Sequence, residues 1–182
     1  MLEYIQNIDW TILHWIRDTL QCGALDFIML KITALGNGNA IWIVAAALMT
    51  ISKKYRKYGI TLFAALAVGM LVGNVCLKPL IARERPCWLE SVPLLIANPS
   101  DYSFPSGHTM FSVIGAYVLT SANRKFGLPS ILLAVLIGFS RLYLYMHFPS
   151  DVLTSVVIGI LIAGTAVFVA RKVKLSLPVI KK

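Results

Sequence analysis

His147 precedes Asp151 by four residues, with Pro149 between them opening a helix, so the carboxylate can reach back to the imidazole. A carboxylate on one ring nitrogen fixes the tautomer and leaves the other nitrogen as a nucleophile or base. Asp151 has a plainer rival role as a helix N-terminal acid. Upstream, Pro105-Ser106-Gly107-His108 comes just before an apolar run, so backbone N–H groups at that helix start form an anion site. Gly107 admits close approach of a ligand, and Ser106 serves either as a phosphate donor or as the N-cap. Lys78, Arg85 and Arg141 add three cations, and guanidinium groups grip phosphate oxygens bidentately while staying charged. Such a set suits a tetrahedral dianion and the charge that develops on it, which makes phosphoryl transfer the chemistry to expect. No carboxylate cluster offers a magnesium site, and Cys22, Cys76 and Cys87 have no zinc or iron–sulfur spacing, so neither metal nor cofactor is expected.

These groups must be brought to one level by the elements that carry them. The chain has 182 residues, 58% hydrophobic and 14% charged, with a mean hydropathy of +0.75, which excludes an ordinary soluble domain. The expected fold is all-α: a polytopic membrane helical bundle forming a single domain over 1–182. Within it, 1–35 is read as interfacial amphipathic helices and 36–175 as the transmembrane bundle. In the first part Arg17, Asp18, Asp26 and Lys31 break any long apolar run. Five spans are expected, near Asn39–Ile51, Ile60–Leu80, His108–Thr120, Pro129–Tyr145 and Ser150–Ala170, with a sixth within 8–35 as the alternative.

Net charge is +9, yet the basic residues cluster in short connections rather than on a soluble face, so nucleic acid is not an expected partner. Lys53, Lys54, Arg56 and Lys57, then Arg124 and Lys125, then Arg171, Lys172, Lys174, Lys181 and Lys182 alternate with segments holding all eight acids. The positive-inside rule makes the basic connections and the C-terminus cytoplasmic. The 81–105 loop and the 146–149 turn then face outward, together with His108 and His147. A cation at membrane depth is disfavoured by roughly 2.5–3.5 kcal/mol, so Lys78 and Arg141 need an anionic partner unless they snorkel to headgroups. Cys22 and Cys87 fall on the same outward side, where a disulfide is chemically allowed.

Lys78-Pro-Leu-Ile-Ala-Arg-Glu-Arg85-Pro86, then Pro105-Ser-Gly-His108, then Ser140-Arg141 with His147 and Asp151, resemble the three signatures of the type 2 phosphatidic acid phosphatase (PAP2) family: K-x6-R-P, P-S-G-H and S-R-x5-H-x3-D. All three are matched in order across 78–151. The resemblance implies a metal-independent phosphatase in which His147 attacks phosphorus and Asp151 orients it. It further implies that His108 protonates the leaving oxygen, while Lys78, Arg85, Ser106, Gly107 and Arg141 hold the phosphate. Arg83 lies outside the signature, with Glu84, Asp101 or a second phosphate as its candidate partners.

The expected activity is hydrolysis of a lipid phosphate or diphosphate at the outer face of a bacterial plasma membrane, with undecaprenyl diphosphate first among substrates. Phosphatidylglycerophosphate and phosphatidic acid are the alternatives. A lipid-phosphate binding or transport protein is the reading of another class, and the oriented His147 argues against it because binding needs only the cations. Partners are therefore the lipid substrate and membrane lipids, and the pattern does not specify an oligomeric state.

Overall fold

A computed structural model describes residues 2–172 of the chain. Helix α1 (Leu2–Leu20) and α2 (Gly23–Leu35) lead through a 3-10 turn (Asn37–Asn39) into α3 (Ala40–Ile51). Next, α4 (Arg56–Gly69) passes into a π-helical segment (Met70–Leu77) and the single turns α5 (Lys78–Ile81) and α6 (Pro86–Leu89). After the 90–106 loop come α7 (Gly107–Ala122), α8 (Arg124–Tyr143) and α9 (Pro149–Lys172). No strand occurs among the described residues. The architecture is an all-α membrane bundle.

Among the described residues, three helical stretches are long and apolar enough to cross a membrane: Arg56–Leu89, Arg124–Tyr143 and Pro149–Lys172. The pair Gly23–Leu35 and Asn37–Ile51, bent by 45°, makes a fourth if counted as one broken span. Length and apolarity thus identify three or four crossings, where charge alternation leads to an expectation of five. Helix α7 has 16 residues and α3 has 12, both short for a hydrocarbon core of about 30 Å.

The core explains why a helix as short as α7 is held at the centre. Met110, Ile114 and Val118 recur on one face of α7 and pack with Leu62 and Leu66 of α4, Ile137 of α8 and Ala163 of α9. Trp42 of α3 enters the same cluster and donates its indole N–H to Ser112 Oγ at 3.2 Å. It lies flat against the backbone at Gly115, where a Cβ would sit 2.1 Å from its ring. At the opposite end from the catalytic candidates, Asn123 Nδ2 donates to Tyr55 Oη at 3.0 Å and joins two basic connections.

The N-terminal helices roof the other end. Ile16 and Met29 pack with Tyr143, Leu144 and Met146, while Leu13 and Trp10 pack on Tyr145 and Phe148. Glu90 ties the roof to the bundle, accepting from Tyr145 Oη at 2.7 Å and meeting His14 Nε2 at 2.9 Å. Cys22 and Cys87 are both free thiols.

Candidate active site

Chain breaks at helix ends aim the candidate side chains. Ala82 takes a left-handed conformation (φ 48°) that stops α5, and Arg85 is extended, as the residue before a proline tends to be. Pro86 then opens α6. Beyond α8, Tyr145 (φ 61°) reverses the chain and Pro149 starts α9, leaving His147 on the short connection. Gly107 begins α7 with Ser106 as its N-cap residue.

Lys78, Arg85, Gly107, His108, Arg141 and His147 line one cavity of about 490 Å³. The seven expected site residues other than Ser106 therefore meet at one end of the bundle: these six around the cavity, and Asp151 behind His147. The Ser106 hydroxyl is fully buried against Thr109 Oγ1 at 3.0 Å, and the Ser106 N–H donates to Ser155 Oγ at 2.8 Å. Ser106 does not line the cavity.

His147 is only 2% exposed. Arg85 Nη1 approaches His147 Nε2 at 3.3 Å, and because a guanidinium is a donor only, Nε2 must present its lone pair. The other nitrogen, Nδ1, lies 3.4 Å from Ser103 Oγ and 3.9 Å from Asp151 Oδ2. The i to i+4 relationship between His147 and Asp151 is present, but Ser103 stands in the gap, its hydroxyl 2.5 Å from Asp151 Oδ2. Burial pushes the His147 imidazole well below its ordinary titration range, and the facing Arg85, Arg141, Lys78 and His108 push the same way. The ring is neutral at physiological pH.

Each cation is held by a neighbour. Arg85 donates from Nε to the Asp101 carbonyl, from Nη1 to the Met146 carbonyl and from Nη2 to Asp101 Oδ1, each at 2.7 Å. The Lys78 ammonium donates to Asp101 Oδ2. Partial burial raises the affinity of Asp101 for a proton, but the bonds and charges of Lys78 and Arg85 outweigh it and hold the carboxyl below its usual range. Arg141 Nη1 donates to Thr33 Oγ1 of α2 at 2.7 Å, while its Nε–H is buried with no hydrogen-bond partner. Arg83 pairs with neither Glu84 nor Asp101; it binds Asp9 and Asp151.

Several cavity residues carry no signal in the three signatures. Asn37, on the turn between α2 and α3, meets His108 Nε2 at 3.0 Å. Asn74 lines the cavity from the π-helical segment, a rare geometry found mostly at functional sites, and its Oδ1 is buried without a partner. The Gly36-Asn37-Gly38-Asn39 run was readable as a chain break but not as a wall of the site.

The pattern of the PAP2 superfamily matches residues 57–174. The chain belongs to that superfamily. This PAP2 protein is 33% identical to undecaprenyl-diphosphatase of Sulfolobus acidocaldarius over 157 residues, 85% of this chain and 75% of that one. It is 37% identical to undecaprenyl-diphosphatase BcrC of Bacillus subtilis over 124 residues, covering 68% of this chain and 60% of the relative. Its fold is similar to the crystal structure of a transmembrane PAP2-type phosphatidylglycerolphosphate phosphatase from Bacillus subtilis, with a TM-score of 0.78 and 26% identity, covering 96% and 90% of the two chains. The protein is thus an integral membrane phosphatase of the PAP2 type.

Proposed function

We propose that this PAP2 phosphatase hydrolyses a lipid phosphate or diphosphate through a phosphohistidine formed on His147, with undecaprenyl diphosphate as the substrate. The observation that carries the reading is the orientation of His147: its Nε2 lone pair faces the side where Arg85 donates, while Nδ1 faces Ser103 and Asp151. In the first half-reaction Nε2 attacks phosphorus and the bond from phosphorus to the leaving oxygen breaks; His108, protonated on both nitrogens beside the bound dianion and with Nε2–H held by Asn37, gives that oxygen its Nδ1 proton. In the second, water attacks phosphorus, the bond from phosphorus to Nε2 breaks and returns its electron pair to the imidazole, His108 takes the water's proton, and inorganic phosphate leaves.

Lys78, Arg85, Arg141 and the Gly107 amide hold the phosphate oxygens. A phosphate oxygen would satisfy the orphaned Arg141 Nε–H, since buried donors without partners are rare unless a ligand supplies one. Ser106 joins this set only by exchanging its bond to Thr109. The substrate assignment leans on the two relatives named undecaprenyl-diphosphatase. The similar fold of a phosphatidylglycerolphosphate phosphatase keeps phosphatidylglycerophosphate as the second reading. Charge alternation along the chain supports a site on the outer face of the membrane and a cytoplasmic C-terminus, and the lack of a linker-like tract supports one domain over 1–182.

The test is phosphate release by detergent-purified protein in EDTA, from undecaprenyl diphosphate, phosphatidylglycerophosphate and phosphatidic acid side by side. Preference for undecaprenyl diphosphate, abolished in His147→Ala, is the expected result. Full activity in His147→Ala would sink the mechanism. Retained lipid-phosphate binding with no turnover by the unmodified protein would make the chain a binding protein.

A further inference from the structure

We propose that α1, although outside the residues matched to the superfamily, belongs to the apparatus that positions the nucleophile. Asp9 holds Arg83, Arg83 holds Asp151, and the Ser103 hydroxyl passes that hold to Nδ1 of His147. The inference rests on His147 being the nucleophile.

Arg83 spends its fork on two acids from distant parts of the chain. Its Nη1 donates to Asp151 Oδ1 at 2.6 Å and to Ser150 Oγ at 2.7 Å. Its Nη2 donates to Asp9 Oδ2 at 2.7 Å and to Gln6 Oε1 at 2.6 Å. The guanidinium lies 4.1 Å from the centroid of the Phe148 ring, which packs against it from the connection that carries His147. Asp9 is 2% exposed and Asp151 fully buried, so both acids depend on this shared cation to be tolerable away from water. Asp9 also accepts the Ser150 N–H at 2.8 Å and the Ser150 hydroxyl, and so caps the start of α9 from α1.

A clamp between α1 and α9 could be structural only. The distances around Asp151 argue for more. With Oδ1 committed to Arg83, Oδ2 receives the Phe148 N–H at 2.9 Å and the Ser103 hydroxyl at 2.5 Å. Asp151 Oδ2 is 3.9 Å from His147 Nδ1, beyond direct hydrogen bonding, and Ser103 Oγ is the group within 3.4 Å of that nitrogen. A hydroxyl that gives its proton to Asp151 has only lone pairs left for His147, which calls for an Nδ1–H and puts on Nε2 the lone pair that faces Arg85 and would attack. Arg83 fixes the carboxylate plane and thereby the Ser103 lone pair, so Asp9 on α1 reaches the reacting imidazole through four successive hydrogen bonds.

The experiment compares Arg83→Ala, Arg83→Lys, Asp9→Asn and Ser103→Ala with the unmodified enzyme, using Glu84→Gln as an exposed control and His147→Ala as the null. For each, kcat, KM, vanadate inhibition and the active fraction from labelled phosphoenzyme are measured in detergent. The expected result is a kcat per active site lowered about 10–100-fold in Arg83→Ala and Ser103→Ala, as for groups that orient a reactive ligand from behind, with KM and vanadate inhibition nearly unchanged. Arg83→Lys should recover part of the loss and Asp9→Asn should show a smaller one. A purely structural clamp would lower the active fraction and leave kcat per active site intact, which would overturn the proposal. If Arg83→Ala cannot be purified folded, Ser103→Ala and Arg83→Lys carry the same decision. Activity surviving in His147→Ala would instead remove the nucleophile assignment, a failure distinguishable from that of the relay.

Discussion

His108 Nε2 lies 3.0 Å from Asn37 Oδ1, and the ring is backed by Gly36, where a Cβ would stand 2.6 Å from His108 Cδ2. An amide oxygen accepts only, so Nε2 carries a proton toward the wall of the cavity. Asn37→Leu should lower kcat on a lipid phosphate by about tenfold, a fraction of the 10²–10⁴-fold that general acid catalysis supplies. Gly36→Ala should do more harm, because the ring itself must move. An aryl phosphate needs little help in protonating its leaving group, so both defects should shrink on it. Equal losses on both substrates would show that the turn shapes the phosphate pocket instead of serving the acid.

That turn also marks where reading the sequence stopped. That Lys78, Arg85, His108, Arg141, His147 and Asp151 come together was legible because charged groups at apolar helix ends have few uses. Asn37 and Gly36 were not, because a Gly-Asn-Gly-Asn run is also what any helix break needs. Asp9 read as one more outward acid on an amphipathic helix, and only the packing of α1 on the 145–148 connection turns it toward Arg83. The π-helical geometry of Met70–Leu77 leaves no mark in an unbroken apolar run. The all-α membrane fold was plain from composition, while the number of crossings depends on whether short α7 and the bent α2–α3 pair count as spans.

Asp101 bridges the Lys78 and Arg85 side chains through its two carboxylate oxygens, in the seat proposed for the substrate phosphate. Its side chain is 53% exposed, so the bridge is within reach of an incoming anion. Removing its charge in Asp101→Asn should tighten vanadate inhibition by about fivefold, the effect of roughly 1 kcal/mol for one like charge near the surface. Weaker inhibition would mean instead that Asp101 organises the two cations and does not compete for them. The carboxyl titrates below its usual range, so the unmodified enzyme should gain on Asp101→Asn only at strongly acidic pH, where Asp101 is itself neutralised.

The depressed affinity of His147 for a proton has a sign that can be checked. In the proposed mechanism its neutral form is the one that attacks, and that form is lost as pH falls through the folded-state value, which lies below the ordinary value of about 6.5. In ¹⁵N-histidine spectra, one ring assigned by its absence from His147→Ala should stay neutral at pH 6. Lys78→Met removes one of the facing cations, leaving Arg85 and Arg141, and should move that titration upward. The unfolded chain takes up the proton that the buried ring refuses, so His147 destabilises the fold progressively as pH drops below the unfolded-state value. A ring that titrates at its ordinary value would contradict the buried, cation-facing geometry.

Gly115 and Trp42 give a test of the scaffold apart from the chemistry. Trp42 is 2% exposed, and the space a Cβ would take at Gly115 is filled by its ring, with Cε3 2.1 Å away. Both belong to the interior shared by α3 and α7, whereas the proposed catalytic groups lie at the end where α7 begins. Gly115→Ala should therefore destabilise the protein by about 1–3 kcal/mol through overpacking, seen as a lower thermal midpoint in detergent. KM and kcat per active site should stay close to the unmodified values at low temperature. Trp42→Phe frees volume at the contact but gives up the indole bond to Ser112, so alone it also destabilises. Because the two positions touch, their effects should not add, and Trp42→Phe with Gly115→Ala should be more stable than the sum of the single losses. Strict additivity would mean that the helices separate to accept the methyl group and that the ring does not set their spacing.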